Sequence, residues 1–387
     1  MNKVVKVVKR AISLRRQKKL KKYLCDILNV ADFNPVVNER LNSIKTITFV
    51  IPGMPAFSGG HTSILRLGTE LVNLGYEIRY ISIDNQSVED MINNAKINLS
   101  GFKGKFISEK FEDVKTDVVI ATAWDTVYYS RKINGYKMYF VQDYEPYFSL
   151  YGESFILAQK TYELGYHMVS LGQWNKYMIE KECKINSRID FIEFPYEGKE
   201  YVDKNRNFEQ YKNKKEFNMA VYIKDTGKRA PYVVQYLCSR LKSDLNKDGI
   251  TLNLKYYGED KGFKCEGGIN LGKLKKEELV RLYNDSDFGF VGSLTNISLV
   301  PYEMLATGLP IIEFEEGTFS YFFPENSAII TNFNYDNFYE QFKIAINNPD
   351  IIKERYNISI NYLKSLSWKK SALQFKSILD NEVLREF

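Results

Sequence analysis

The chain has only two histidines, His61 and His167, in 387 residues, which nearly excludes a histidine-based catalytic triad or a multi-histidine metal centre. Its four cysteines, Cys25, Cys183, Cys238 and Cys265, are scattered with no CxxC pair. The thiols are therefore expected to be reduced and mostly buried, with no zinc site. No apolar run approaches the roughly 20 residues that a spanning helix needs. The N-terminus lacks the uninterrupted apolar core of a signal peptide. Neither GxGxxG nor a P-loop occurs, which weakens a dinucleotide-dependent oxidoreductase reading; Asp84, after the second predicted strand, keeps that reading alive. These absences point to a cytoplasmic protein that uses neither metal nor cofactor.

What is present is a globular composition, 44% hydrophobic and 26% charged, in a chain long enough for two domains. Placement of charge matters more than its sum. Residues 1–25 hold ten Lys and Arg and no acid, so the net +6 less these ten leaves the remainder at −4. A nucleic-acid interface on the folded body would be basic, and this body is mildly acidic. In the tail, Val4, Val5, Val8 and Ile12 share one helical face among the cations. That pattern suits an anionic membrane surface touched by residues 1–24; a solvated arm and a nucleic-acid arm are the other readings of such a charge run.

Strand and helix signals alternate along the rest. TITFVIPG (46–53), an amphipathic stretch at 61–76 and YEIRYISI (76–83) form a βαβ unit. Further strands are expected at 116–124, 137–143 and 167–172, with helices near 154–164 and 173–183. The charged, aliphatic-poor segment after DFIEFP (190–195) reads as a linker. A second series then places strands at 218–224, 251–257, 287–292 and 309–314 and helices at 230–243, 275–284 and 301–307, before a terminal helix at 366–379. The division is a tail (1–44), a first domain (45–200), a linker (201–217), a second domain (218–365) and a terminal segment (366–387).

Residues 287–312, DFGFVGSLTNISLVPYEMLATGLPII, run from a buried strand into a polar loop and a short helix opened by Glu303 and closed by Gly308-Leu309-Pro310. A carboxylate there can accept hydrogen bonds from the hydroxyls of a sugar or ribose. An acid in a first turn is also favoured by the helix dipole alone. With LKYYGED (254–260), INLGKLKKEELVRLYNDSD (269–287) and FVGS (290–293), this segment resembles the C-terminal half of the retaining, two-Rossmann-domain (GT-B) nucleotide-sugar glycosyltransferases. Two strand-Gly segments, a helix reading eeL..lY and a Glu-containing loop follow in that family's order, over about 60 residues.

The resemblance implies an α/β protein of two Rossmann-like doubly wound domains facing a cleft, the first for the acceptor and the second for the nucleotide sugar, with a terminal helix crossing back to the first. It implies a nucleoside-diphosphate-sugar donor and a glycan or lipid-linked glycan acceptor; the basic tail adds the expectation that the protein sits at the inner face of the cell membrane. Gly59 and Gly60 match the family's glycine loop, where bare backbone N–H groups at a helix start meet the diphosphate, a flexible connection being the plain alternative. His61 lies in the cleft or merely occupies the helix start. Lys224, Lys228 and Arg229 are candidates for the family's Arg and Lys that grip the diphosphate, Arg229 counting as catalytic for stabilising the leaving group. Gly258, Leu274 and Asn296 fall on donor-side segments. Glu303 matches the second acid of the paired-glutamate motif, while Thr295 stands where the first acid would be.

That replacement, together with MYFVQDYEPYFS (138–149), is similar to the S-layer-glycan rhamnosyltransferase branch, which implies dTDP-L-rhamnose as donor. It also feeds a second reading, a non-catalytic membrane-surface scaffold. Trp124 and Asp125, placed at a strand end, would contact the donor sugar. Asp143 and Glu145, at the end of another, would orient the acceptor hydroxyl or act as base; solvated side chains are the plain alternative. Asp285-Ser286-Asp287 looks like a DxD metal motif, but it closes a helix and enters a buried strand, so it is read as structural.

Overall fold

The computed structural model describes residues 3–198 and 201–383, and within the first helix the side chains of residues 14, 15 and 17 onward. The apolar face expected at Val4, Val5, Val8 and Ile12 lies outside the described side chains. The chain divides into two compact units, one of Met1–Leu171, Asn175–Ile192 and Ala372–Phe387, the other of Gly172–Trp174 and Glu193–Ser371.

The first unit opens with α1 (Lys3–Val30) and continues through β1 (Thr46–Ile51), α2 (Gly59–Asn73), β2 (Glu77–Ser82), α3 (Val88–Asn98), β3 (Lys105–Ile107), β4 (Lys115–Ala121), α4 (Trp124–Ser130), β5 (Asn134–Val141), α5 (Glu153–Thr161), β6 (His167–Leu171), α6 (Gln173–Glu182) and β7 (Ile189–Ile192). Its seven strands are all parallel, in the order β3-β2-β1-β4-β5-β6-β7. Strands such as TITFVI are β-branched and aromatic and buried along nearly their whole length because helices cover both faces of a parallel sheet. Phe49, Tyr80 and Phe106 stack across three of them, with ring centroids 5.7 and 5.0 Å apart. Helix α2 lays Ile64, Leu65, Leu67 and Leu71 on this core. Its Gly68 is required there, since a Cβ would lie 2.1 Å from the Tyr80 hydroxyl.

The second unit runs β8 (Glu216–Tyr222), α7 (Pro231–Lys247), β9 (Thr251–Tyr257), β10 (Gly268–Asn270), α8 (Lys276–Asn284), β11 (Phe288–Phe290), α9 (Leu299–Ala306), β12 (Ile311–Phe314), β13 (Ile329–Thr331), α10 (Tyr335–Asn347) and α11 (Pro349–Lys364). Six parallel strands take the order β10-β9-β8-β11-β12-β13, the same pattern as the first six strands of the other sheet. Phe217, Phe288 and Phe342 anchor its core, joined by Tyr211. The last helix, α12 (Trp368–Asp380), begins among the residues of this unit and ends among those of the first, where Phe375 meets Phe140 edge-on.

Several elements differ from the sequence expectation. Helix α3 went unassigned, as did β3, whose three residues are too few to leave a periodic signal. Strand β4 stops at Ala121, and Trp124 and Asp125 open a helix rather than end a strand. The cause is Thr126, whose hydroxyl oxygen accepts the N–H groups of Thr122 and Ala123 and so caps α4. Helix α9 begins at Leu299, so Glu303 is its fifth residue and sits past the first turn. Pro301 is accommodated because the first N–H groups of a helix have no partner to lose. Residues 201–217 are packed on the second unit, with Tyr201, Phe208 and Tyr211 buried and Arg206 donating to the Ser286 carbonyl at 2.6 Å. Cys183 and Cys238 are buried, but Cys25 is exposed. Asp287 is tied down by the Asn218 N–H at 2.8 Å and by Lys214.

Candidate active site

In an open parallel sheet, ligands bind beyond the carboxyl ends of the strands where the order reverses. That point lies between β1 and β4 in one unit and between β8 and β11 in the other.

In the first unit the switch point is flanked by the starts of α2 and α4. Gly59 and Gly60 are the first two residues of α2. A Cβ on Gly59 would meet nothing within 4 Å, and one on Gly60 would stop 3.4 Å from Gln142 Oε1, so the helix start is bare on one side and lined by Gln142 on the other. His61 turns back on the helix start, its Nδ1 2.7 Å from Ser58 Oγ, and burial lowers its pKa.

The acids beside α4 are internal. Glu145 is buried and accepts the Trp124 N–H at 2.7 Å; burial pushes its carboxyl up to about 8. It stabilises the first turn of α4 instead of standing solvated at a strand end. Asp125 is also buried, and Tyr23 of α1 donates to its Oδ2 at 2.7 Å. Burial raises the Asp125 pKa, against the pull of this hydrogen bond. Trp124 meets Tyr23 edge-on at 5.9 Å. Asp143 is buried and accepts the N–H of Tyr144 through Oδ1 at 2.9 Å.

The second unit gathers the other candidates. The turn after β8 carries Lys224, Lys228 and Arg229 and reaches α7 through Ala230, a non-glycine residue at φ 45°, ψ 46°. Such left-handed backbone costs energy and persists only where its surroundings fix it. They do so here: the Leu294 N–H donates to the Lys228 carbonyl at 3.2 Å, and a Cβ on Gly292 would lie 2.8 Å from the Arg229 carbonyl. The loops after β8 and β11 are thus pressed together.

Arg229 is 6% exposed, and its Nη1 has no hydrogen-bond partner. A buried guanidinium with an unused donor is primed for an anion. Lys224, by contrast, only adds to the pull on two outward acids: Glu259, lowered chiefly by the Asp225 N–H that it accepts, and Asp260, lowered chiefly by Lys273. Tyr222, at the end of β8, senses both key charges: burial raises its pKa, Arg229 pulls it down and Glu303 pushes it up. Glu303 is also 3.5 Å from the Tyr283 hydroxyl, which lies 2.9 Å from that of Tyr257.

Gly258, at φ 106° beyond β9, permits this closeness, since a Cβ would lie 2.6 Å from the Tyr222 ring. Thr295 and Asn296 are buried in the loop after β11, where Thr318 Oγ1 donates to the Thr295 carbonyl at 2.6 Å. Leu274 is half-buried in the turn before α8.

Arg229, Gly258 and Glu303 are therefore grouped around Tyr222. The sequence reading missed Tyr222, Tyr257 and Tyr283, and also Glu313. Glu313 lies on β12, fully buried, accepting the Ser293 N–H at 3.0 Å with its other oxygen 2.7 Å from Ser293 Oγ. Burial pushes it up to about 8, against the pull of Ser293 and of Arg229. A single acid inside the apolar run LPIIEF was the signal available. Among the described residues, no cluster of three or more His, Cys, Asp or Glu could hold a metal ion, and no helix is long and apolar enough to cross a membrane.

No protein-family model and no curated protein matches the sequence. Solved structures do. A glycosyltransferase from Rickettsia africae is 14% identical, with a TM-score of 0.64 over 88% of this chain and 99% of its own. WaaG, a glycosyltransferase involved in lipopolysaccharide biosynthesis, is 12% identical, with a TM-score of 0.61 over 86% and 99%. HepE from Anabaena, solved with UDP and glucose, is 8% identical, with a TM-score of 0.62 over 87% and 100%. At such identities the likeness is one of fold: two parallel-sheet, Rossmann-like domains of the GT-B kind.

Proposed function

We propose that the chain is a glycosyltransferase that moves a sugar from a nucleoside diphosphate onto a growing cell-surface or lipid-linked glycan, with retention of configuration. The observation that carries this is the grouping of Arg229 and Glu303 around Tyr222 at a switch point. A buried cation with a spare donor suits a diphosphate, and a nearby half-buried acid suits ribose hydroxyls. The second domain, residues 218–365, would hold the donor, and residues 45–200 the acceptor.

With Thr295 replacing an acid, dTDP-L-rhamnose is the donor of choice. As the family generally reacts with retention, the leaving phosphate takes the acceptor proton, so no separate base is needed, in keeping with the internal placement of Glu145. The tail would keep the enzyme at the inner face of the membrane, near its acceptor. The same Thr295 favours a second reading, a catalytically silent scaffold of the same fold.

Thermal shift with dTDP, UDP and GDP, followed by radiolabelled-donor transfer, tests both. A ligand that binds only the folded state raises the melting temperature, by about 2.7 kcal/mol of stability at a hundredfold excess over Kd. A dTDP-specific shift, abolished by Glu303→Ala, is expected. Nucleotide binding without turnover of any donor would leave the scaffold; no shift with any nucleotide would end the proposal.

A further inference from the structure

β1, β4 and β5 are neighbours in the first sheet and all run the same way, so the segments leaving their C-terminal ends share one edge. Each brings something exposed or basic to it. After β1 comes Phe57, 90% exposed and held at φ 57°, a conformation uncommon for a bulky residue. After β5 come Leu150, 93% exposed, and Tyr151, 82% exposed. These tips are not on a loose loop: Tyr144, Tyr147, Phe155 and Tyr151 form a chain of ring contacts at 4.9, 6.4 and 5.2 Å. After β4 comes α4, on whose first turn Tyr23 of α1 is fastened. Just before Tyr23, Arg15, Lys18, Lys19, Lys21 and Lys22 are all exposed.

We propose that this edge docks on an anionic bilayer, with the cations of α1 against the headgroups and Phe57, Leu150 and Tyr151 entering the interface. Two observations select that partner. Ten cations and no acid in the first 25 residues are complementary to anionic lipid. Aromatic and leucine tips beside a basic helix are the side chains that lodge at the headgroup boundary. The inference deepens the membrane contact proposed for residues 1–24 by adding an apolar half to it, and it does not depend on sugar transfer.

The test is co-sedimentation of the full chain with phosphatidylcholine vesicles, with and without phosphatidylglycerol. Binding should require the anionic lipid and fall with salt. Each of Leu150→Ser and Tyr151→Ser should weaken it roughly tenfold, the cost of withholding one large apolar side chain. Reversing Lys18, Lys19, Lys21 and Lys22 to Glu should abolish it. Wild-type binding that the Ser variants leave unchanged would overturn insertion, as would a wild-type dimer that they convert to monomer; no binding to anionic vesicles would overturn the surface altogether. The nucleotide thermal shift, run on the same Ser variants, should stay at its wild-type size, so a failure of the transferase reading shows there and not in the vesicles.

Discussion

Replacing Glu313 by Gln tests whether a carboxyl inside the second unit is kept protonated by burial. In the folded protein this group is pushed from an ordinary 4.5 up to about 8, and Glu145 in the first unit is pushed up to about 8 as well. Between those two pH values the folded chain holds a proton at each site that the unfolded chain has released. Stability therefore falls as pH rises, by about 1.4 kcal/mol per pH unit for each carboxyl, and levels off above the folded value. Over the whole window, one site amounts to roughly 5 kcal/mol. Gln keeps the geometry, because its oxygen can accept the Ser293 N–H and its amide can donate to Ser293 Oγ, but it carries no proton to lose.

Urea unfolding followed between about pH 5 and 7 should show stability falling with pH more steeply in the wild type than in Glu313→Gln, by about 1.4 kcal/mol per pH unit, because every other titrating group, the lowered His61 and the raised Asp125 among them, is common to both. The variant should gain on the wild type as pH rises. An unchanged slope would mean that Glu313 is ionised in the folded state, its charge balanced by Arg229, and the argument from burial would be refuted.

Arg229→Ala removes the buried guanidinium and should weaken nucleoside-diphosphate binding about 10- to 100-fold by calorimetry, a charge-assisted pair's worth; a loss below about threefold would remove Arg229 from the site. Tyr23→Phe deprives the buried Asp125 carboxyl of its donor from α1 and should lower unfolding free energy by about 1–3 kcal/mol, with an unchanged value showing that α1 is not fastened there.

Much of the fold was legible because a parallel sheet writes itself plainly. TITFVI and the MAVYI of NMAVYIK are short β-branched, aromatic and aliphatic runs, and the stripe Ile64, Leu65, Leu67, Leu71 has a helix's period. What escaped was local. The start of α4 is decided by one hydroxyl, that of Thr126, and the start of α9 by a proline tolerated in its first turn. Neither leaves a periodic trace.

At the candidate site, Arg229, Gly258 and Glu303 were named from motif order; in the structure Gly258 lies against Tyr222, whose pKa, raised chiefly by burial, also feels Arg229 and Glu303. Tyr222, Tyr257 and Tyr283 were invisible because a buried phenol reads as ordinary core; only the structure shows Tyr257 bonded to Tyr283 and Tyr283 reaching Glu303. Asp125, expected to contact the donor sugar, and Glu145, expected to face the acceptor or solvent, are both buried, which sequence position does not reveal. Their partners, Tyr23 and the Trp124 N–H, lie 102 and 21 residues away.

The two sheets share one strand order, yet their reversal points are spent differently. In the first, the chain's own N-terminal helix and internal acids answer one another around α4. In the second, the Arg229 Nη1 is left unanswered. The same strand order thus carries two kinds of edge: one whose polar groups are answered from within the chain, where α1 is moored, and one with a buried guanidinium that has a donor to spare. Substitutions beside α4 should therefore loosen α1 first, whereas substitutions facing the Arg229 Nη1 break no hydrogen bond that it makes.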